Sequence, residues 1–95
     1  MKHYILWKLA PGADPVEVQE KIWKTCRKLD DDLDWMNHPV VFRRCEATDS
    51  SFDLMACLEM ESEEQLAQYR AHPLTQKLAG KLEGLVTETA TFDHY

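Results

Sequence analysis

Apolar and polar residues alternate with period two along several stretches of the chain, a pattern typical of β-strands. The alternation predicts strands over residues 3–9, 40–46 and 52–60, and a threonine-rich stretch predicts a fourth over residues 86–92. The first and third strands carry the most apolar side chains, on both of their faces. The second strand is rich in charged residues, which suits the edge of a sheet.

A helical pattern follows the first strand. Asp14 is a capping residue, and Pro15 after it occupies the first helical position. Asp30, Asp31, Asp32 and Asp34 oppose the negative end of a helix dipole, so the helix should end among them. Its apolar stripe consists of Val18, Ile22, Cys26, Leu29 and Leu33.

A second helix follows the third strand and is broken in its middle. Ser62 and Gln65 form a capping box at its start, in which the Gln65 side chain reaches back toward the cap. His72-Pro73 interrupts the helix near Tyr69, because a residue before proline avoids the α region. The second segment carries Leu74, Leu78 and Leu82 on one stripe and ends at Gly84.

The order of these elements is βαββαβ, which predicts one α+β domain over residues 1–95. A ferredoxin-like arrangement of this order has a four-stranded antiparallel sheet with the first and third strands in the middle. Two helices can cover only one face of such a sheet, yet apolar residues also point to the other face. These are Tyr4, Leu6, Met55 and Cys57. We therefore expect a homodimer that packs sheet against sheet.

Composition narrows the class of partner. The 95 residues carry a formal net charge of −6, which disfavours nucleic acid and anionic membrane surfaces. The N-terminus has too short an apolar run for a signal peptide or a membrane span, so a cytoplasmic location is expected. Cys26, Cys45 and Cys57 are odd in number and widely spaced, which predicts buried free thiols.

Several sequence elements together resemble the stress-responsive A/B barrel family, also called Dabb. The resemblance implies a ferredoxin-like subunit that dimerises into an α+β barrel, with a small-molecule cavity between the sheet and the helices of each subunit. Function within the family is dispersed and includes a plant polyketide cyclase. The elements are Met1-Lys2-His3, Lys8-Leu9 before Pro11-Gly12, Phe52-Asp53-Leu54, Tyr69-Arg70-Ala71-His72-Pro73 and Phe92-Asp93.

The resemblance to that cyclase fails at one position. Its motif has a second histidine, the catalytic base, where this chain has Thr75, and an unactivated hydroxyl is too weak a base for a carbon-bound proton. His3 corresponds to a pocket histidine of the cyclase, and residues 22–26 match a helix segment that lines its cavity. The resemblance thus implies a pocket without the cyclase reaction.

The candidate catalytic residues are His3, Tyr69 and His72. His72 is also explained as a helix junction, His3 as a core histidine and Tyr69 as an anchor of the helix break. Trp7 and Trp23 are either core residues or walls of a cavity. The acidic run DDDLD lacks the spacing of a calcium loop, and no motif for a metal or cofactor is present. The expected ligand-pocket residues are His3, Trp7, Trp23, Tyr69 and His72.

Three functions compete for this chain. The leading hypothesis is a dimeric barrel that binds a small apolar or aromatic carbonyl metabolite through His3 and Tyr69. The second is a cyclase-like or isomerase-like enzyme that uses His3 or His72 as its base. The third is a haem-binding or polyphenol-oxidising dimeric barrel of the monooxygenase type, and a purely structural role also stays open.

Overall fold

Four strands form one antiparallel sheet in the computed structural model, which describes residues 1–95. The order β2-β3-β1-β4 places the first and third strands in the middle, so the predicted α+β ferredoxin-like fold is confirmed. None of the helices combines the length and apolar character that a membrane crossing needs. The elements are β1 (Lys2–Leu9), α1 (Pro15–Asp32), β2 (Asn37–Arg43), β3 (Leu54–Glu59), α2 (Glu63–Ala71), α3 (Pro73–Leu82) and β4 (Val86–His94).

The core lies between the helices and one face of the sheet. The apolar stripe of α1 packs there, and Ile22 at its centre is 0 % exposed. Ile5 and Trp7 of β1 and the alternate residues of β3 meet it from the sheet, because side chains of a strand point alternately to its two faces. The buried apolar residues of α1, β3 and α3 are Val18, Ile22, Cys26, Leu29, Leu54, Ala56, Leu58, Leu78 and Leu82.

The helix starts follow the predicted capping chemistry with one difference. Asp14 Oδ1 accepts a hydrogen bond from the Val16 N–H at 3.0 Å, and Ser62 Oγ accepts one from the Gln65 N–H at 3.3 Å. The Gln65 side chain accepts from the N–H of Glu61 rather than from that of Ser62. The predicted backward hydrogen bond is therefore present, but its donor is the N–H of Glu61, one residue before Ser62.

The second strand differs from its predicted range of 40–46. It begins at Asn37, which pairs with Glu59, and a bulge lies between Asn37 and Val40. His38 within the bulge has φ 48°, so the alternation of side chains is interrupted there and the pattern missed the start of the strand. The third strand covers Leu54–Glu59 and is shorter than its predicted range of 52–60; the carboxylate of Asp53 before it accepts a hydrogen bond from the Leu9 N–H at 2.8 Å.

The three cysteines are unpaired, but only one is buried. Burial raises the pKa of the Cys26 thiol to about 12, so this thiol is a neutral core group at ordinary pH. Cys57 is half-buried on the sheet, and Cys45 is exposed in the loop after β2. The prediction of buried thiols is thus wrong for Cys45, because β2 ends earlier than the pattern indicated.

The second face of the sheet carries a continuous apolar surface that no helix covers. The strand register places Tyr4 beside Cys57 and Phe92, and Leu6 beside Met55. At the edges of this face Phe42 is 52 % exposed and Phe92 is 63 % exposed. We call this surface the open face; it consists of Tyr4, Leu6, Val40, Phe42, Met55, Cys57, Ala90 and Phe92.

Strand β4 lies at an edge of the sheet, where the helices leave it largely uncovered. Helix α3 packs against α1 and α2, whereas β4 packs mainly on β1. Thr89, Thr91 and Asp93 point to the helix side, because they pair with Trp7, Ile5 and His3, yet they stay exposed. A gap therefore remains between α3 and β4, and the site described below lies in it.

Candidate functional site

His3 and Asp93 form a close pair at the end of the gap. The antiparallel register places the two residues opposite each other on β1 and β4, and His3 Nδ1 lies 2.5 Å from Asp93 Oδ1. The His3 side chain is 2 % exposed and that of Asp93 is 32 % exposed. Because a carboxylate can only accept a hydrogen bond, Nδ1 carries the shared proton. The second ring nitrogen, Nε2, is then left as an acceptor when the ring is neutral.

Tyr69 packs its ring against that of His3. The ring centroids are 5.7 Å apart and the planes are inclined by 60°, an edge-to-face arrangement. Burial raises the pKa of the Tyr69 phenol, so its hydroxyl remains an O–H donor at neutral pH. This hydroxyl makes no hydrogen bond within the protein.

Thr75 is the third polar residue at this place. Its Oγ1 is the only sealed side-chain oxygen or nitrogen without a hydrogen-bond partner. Leaving a hydroxyl unpaired in a protein interior costs about 1–3 kcal/mol. Such a group is rare in a folded protein.

The three side chains converge on a cavity of about 210 Å³ between β1, β4 and the two short helices. His3 Nε2 and the Tyr69 hydroxyl also lack partners within the protein, and both residues line the cavity, whereas Thr75 Oγ1 is sealed from it. Arg70 contributes an exposed positive charge to its wall. The lining residues are His3, Ile5, Trp7, Tyr69, Arg70, Thr75, Leu78, Ala79, Leu82 and Thr91.

His72 lies outside this cavity and caps two helices. It ends α2 and begins α3, where its Nδ1 accepts a hydrogen bond from the Leu74 N–H at 3.0 Å. Its Nε2 lies 2.5 Å from Asp32 Oδ2, so both ring nitrogens are occupied. His72 therefore serves as a junction and is not available as a base.

The two candidate tryptophans have different positions. Trp7 is 6 % exposed and lines the cavity beside His3. Trp23 is 39 % exposed and lines a separate groove of about 470 Å³ between α1 and β2. That groove is larger than the cavity beside His3, and its walls are mostly apolar. Glu20 is its only ionisable residue. We therefore place the candidate site at His3, and neither Trp23 nor His72 belongs to it.

Sequence reasoning missed several members of the site. Asp93 was noted only as part of the closing Phe92-Asp93 element, although antiparallel pairing of the first and last strands would bring it to His3. Thr75 was noted only for what it lacks, a basic nitrogen, and not as a donor. Asp32 of the acidic run bonds to His72 at the helix junction. No group of three His, Cys, Asp or Glu side chains is arranged to hold a metal ion.

Comparison with known proteins gives a clear result for the whole chain. The family model described as Stress Responsive A/B Barrel Domain matches residues 1–95. No curated protein sequence matches. The chain is similar to a dimeric protein of unknown function with a ferredoxin-like fold from Bacteroides fragilis, with a TM-score of 0.84 and 16 % identity over 98 % of this chain and 92 % of that chain.

Two further solved structures are similar. At3g17210 from Arabidopsis thaliana has a TM-score of 0.78 and 23 % identity, over 99 % of this chain and 92 % of that chain. SnoaB from Streptomyces nogalater, a cofactor-independent oxygenase, has a TM-score of 0.68 and 16 % identity, over 99 % of this chain and 91 % of that chain. At these identities the likeness establishes the fold and leaves the chemistry to the residues of the site.

The unpaired hydroxyl of Thr75 generates a stability prediction. Thr75→Val keeps the shape of the side chain and removes the hydroxyl, so the free energy of unfolding should rise by about 1 kcal/mol in the absence of ligand. Urea unfolding of the two proteins measures the difference. Thr48→Val is the matched control, because the Thr48 hydroxyl donates to the Cys45 carbonyl at 2.9 Å, and its removal should not stabilise the protein. A loss of stability in Thr75→Val would show that this hydroxyl has a partner in solution.

Proposed function

The chain belongs to the stress responsive A/B barrel domain (Dabb) family, and from its geometry we propose that it binds a small apolar or aromatic carbonyl compound in the cavity beside His3. One observation carries this proposal. Two polar groups without partners, His3 Nε2 and the Tyr69 hydroxyl, belong to residues that line a cavity whose other walls are mostly apolar. A largely apolar pocket with a few converging polar groups is the usual form of a small-molecule site.

A carbonyl group fits the polarity of these atoms. The Tyr69 hydroxyl can donate a hydrogen bond to the ligand oxygen. Nearby apolar side chains exclude water and so strengthen this hydrogen bond. His3 Nε2, held in place through Asp93, is then an acceptor that faces the carbon atoms beside the carbonyl.

Ligand binding should depend on His3. A panel of alkyl and aryl ketones and aldehydes is tested for its effect on the melting temperature, since a ligand that binds only the folded state stabilises it by about 2.7 kcal/mol at a hundred times Kd. For a domain of this size that corresponds to a shift of roughly 10–20 °C. His3→Ala should abolish the shift. His38→Asn is the control, because His38 is exposed, lies outside the cavity and has a positive φ that asparagine tolerates.

We also propose that the protein is a homodimer in which the open faces of two subunits pack together. The open face leaves Phe42 and Phe92 more than half exposed, an unfavourable arrangement for a free monomer when the surrounding residues are also apolar. A second copy offers the same surface and can cover it by a two-fold axis. The similar protein from Bacteroides fragilis is described as dimeric, which supports this arrangement.

The dimer should separate when a charge is placed in the centre of the open face. The wild-type protein is expected to have twice the 11.1 kDa mass of the chain in light scattering. Leu6→Asp should give the monomer mass with an unchanged circular dichroism spectrum, because Leu6 points away from the core. Lys77→Asp, on the outer surface of α3, should remain dimeric. A monomeric wild-type protein at micromolar concentration would overturn the proposal.

A second candidate function is proton abstraction from the bound carbonyl compound. The short His3–Asp93 contact favours it, because it orients Nε2 as a base within the cavity, while the protonated Tyr69 phenol can stabilise the oxygen of an enolate. His3 would take a proton from the carbon next to the carbonyl, the electrons of that C–H bond would form the new carbon–carbon double bond, and the π pair of the carbonyl would move to its oxygen. Return of the proton completes an isomerisation or exchange, and no cofactor is needed.

Exchange of carbon-bound hydrogen distinguishes binding from catalysis. A ketone that binds is incubated with the protein in deuterated water, and NMR follows the loss of the signal of its hydrogens next to the carbonyl. If His3 is a base, exchange should be faster than in buffer and should fall by about 10²–10⁴-fold in His3→Ala. Asp93→Asn should also slow exchange, because an amide favours the wrong ring tautomer. Binding with no accelerated exchange would leave a binding protein only.

A further inference from the structure

Three of the four methionines of the chain meet at one end of the sheet. Met1, Met36 and Met60 line a single cavity of about 580 Å³ between the start of β1, the loop before β2 and the end of β3. The fourth methionine, Met55, lies on the open face. The cavity shares no lining residue with the site beside His3, so the two are separate. We call Met1, Met36 and Met60 the methionine row.

The register of the strands produces this row. The amino group of Met1 donates to the Met60 carbonyl at 2.8 Å, and the Met60 N–H donates to the Met1 carbonyl at 2.9 Å. The two residues therefore lie opposite each other at the end of the β1–β3 ladder. On the other side of β3, Asn37 pairs with Glu59, so the same register sets Met36 opposite Met60. The three methionines thus follow one line across the ends of three adjacent strands.

The row lies on the helix side of the sheet. Met60 follows the buried Leu58 by two residues, which places the two side chains on one face. Met36 and Met60 are buried, and Met1 packs against the same core. Residues directly opposite each other have Cβ atoms about 4.5–5.5 Å apart. Methionine side chains are unbranched, with three rotatable bonds, so the outer two sulfur atoms can reach a point beside the sulfur of Met60.

A group of three thioethers is selective for one kind of ligand. Thioether sulfur is a soft, uncharged donor, and among the metal ions of proteins it favours Cu(I). Ions such as Mg²⁺ and Ca²⁺ prefer oxygen ligands instead. The sulfur atoms need not lose a proton before they bind, in contrast to cysteine. A methionine row therefore suits a soft monovalent cation.

The surroundings of the row favour a cation as well. Asp34, Glu59 and Glu61 line the cavity, and their carboxylates outnumber the single amino group there. The resulting negative potential attracts cations. Trp35 also lines the cavity, and its indole N–H donates to Gln68 Oε1 at 2.9 Å, which holds the ring in place. Tryptophan is the aromatic residue that attracts a nearby cation most strongly.

We propose that the methionine row binds one Cu(I) ion through three thioether sulfur atoms, with Met60 at the centre. Copper enters and leaves as Cu(I), so no electron is transferred. The site is independent of the proposed function, because it uses neither His3 nor any other wall of the carbonyl cavity.

Silver(I) is the probe for this site, because it has the charge and softness of Cu(I) and is stable in air. The methyl groups of all methionines are isotope-labelled, and NMR follows each one during titration with silver nitrate. One equivalent bound at the row should shift the signals of Met1, Met36 and Met60 and leave that of Met55 in place. Cu(I), kept reduced by ascorbate without oxygen, should shift the same three signals.

The cysteines also bind silver, so the titration uses the variant Cys45→Ser/Cys57→Ser. Its only remaining thiol, Cys26, is buried in the core. The methyl signals report binding to methionine sulfur and so distinguish the row from any thiol.

Met36→Leu and Met60→Leu, made in that background, each remove one ligand. Leucine is among the best tolerated replacements for a buried methionine, so both variants should fold. The Kd for silver, read from the Met1 signal, should rise by at least about tenfold in each, since loss of an outer partner of a metal ligand alone costs about 10–100-fold. Met55→Leu is the matched control and should leave Kd unchanged.

Three results would overturn the inference. Signals of Met36 and Met60 that stay in place with excess silver would show that the row only packs the core. A loss of affinity in Met55→Leu equal to that in Met60→Leu would place the ion elsewhere. Identical shifts with Zn²⁺ would remove the assignment to a soft monovalent ion. None of these results bears on the carbonyl site beside His3.

Discussion

The pairing of β1 with both β3 and β4 is the constraint on which this structure depends. Pairing with β3 builds the centre of the sheet, and the alternation along β1 sends Ile5 and Trp7 into the core. Pairing with β4 fixes the register that sets Asp93 opposite His3. A shift by one residue would turn Asp93 to the open face and leave the buried imidazole without its carboxylate. The fold and the candidate site thus share one set of backbone hydrogen bonds.

Local pattern was sufficient for the fold, because each element carries its own signal. The cap at Asp14, the break at His72-Pro73 and the alternation of β3 all act over a few residues, and they determined the order of elements and the central strands. The bulge at His38 was missed, because a bulge appears in sequence only as a fault in the alternation. The end of β2 at Arg43, which leaves Cys45 exposed in the following loop, was missed as well.

The site was harder to predict, because it depends on side chains from distant parts of the chain. His3, Trp7 and Tyr69 could be predicted as members, since their strand face and their place before the helix break both point to the same side. Trp23 follows Ile22 by one residue, which turns it about 100° around α1 to the edge facing β2. Sequence does not say which flank of a helical stripe faces the interior. That Thr75 lacks a partner is a property of all its neighbours together, and no local pattern reports it.

The His3–Asp93 contact joins residues 90 positions apart in the chain. Closing so long a loop has an entropic cost that only the complete set of native contacts offsets, so the pair should form late in folding, together with the β1–β4 ladder. A partly folded chain in which the last strand has not docked would have a core of β1, β3 and α1 but no oriented imidazole. Occupancy of the site by a ligand would then report on the integrity of the entire domain, and a ligand that prefers the paired state would slow the unfolding of β4 first.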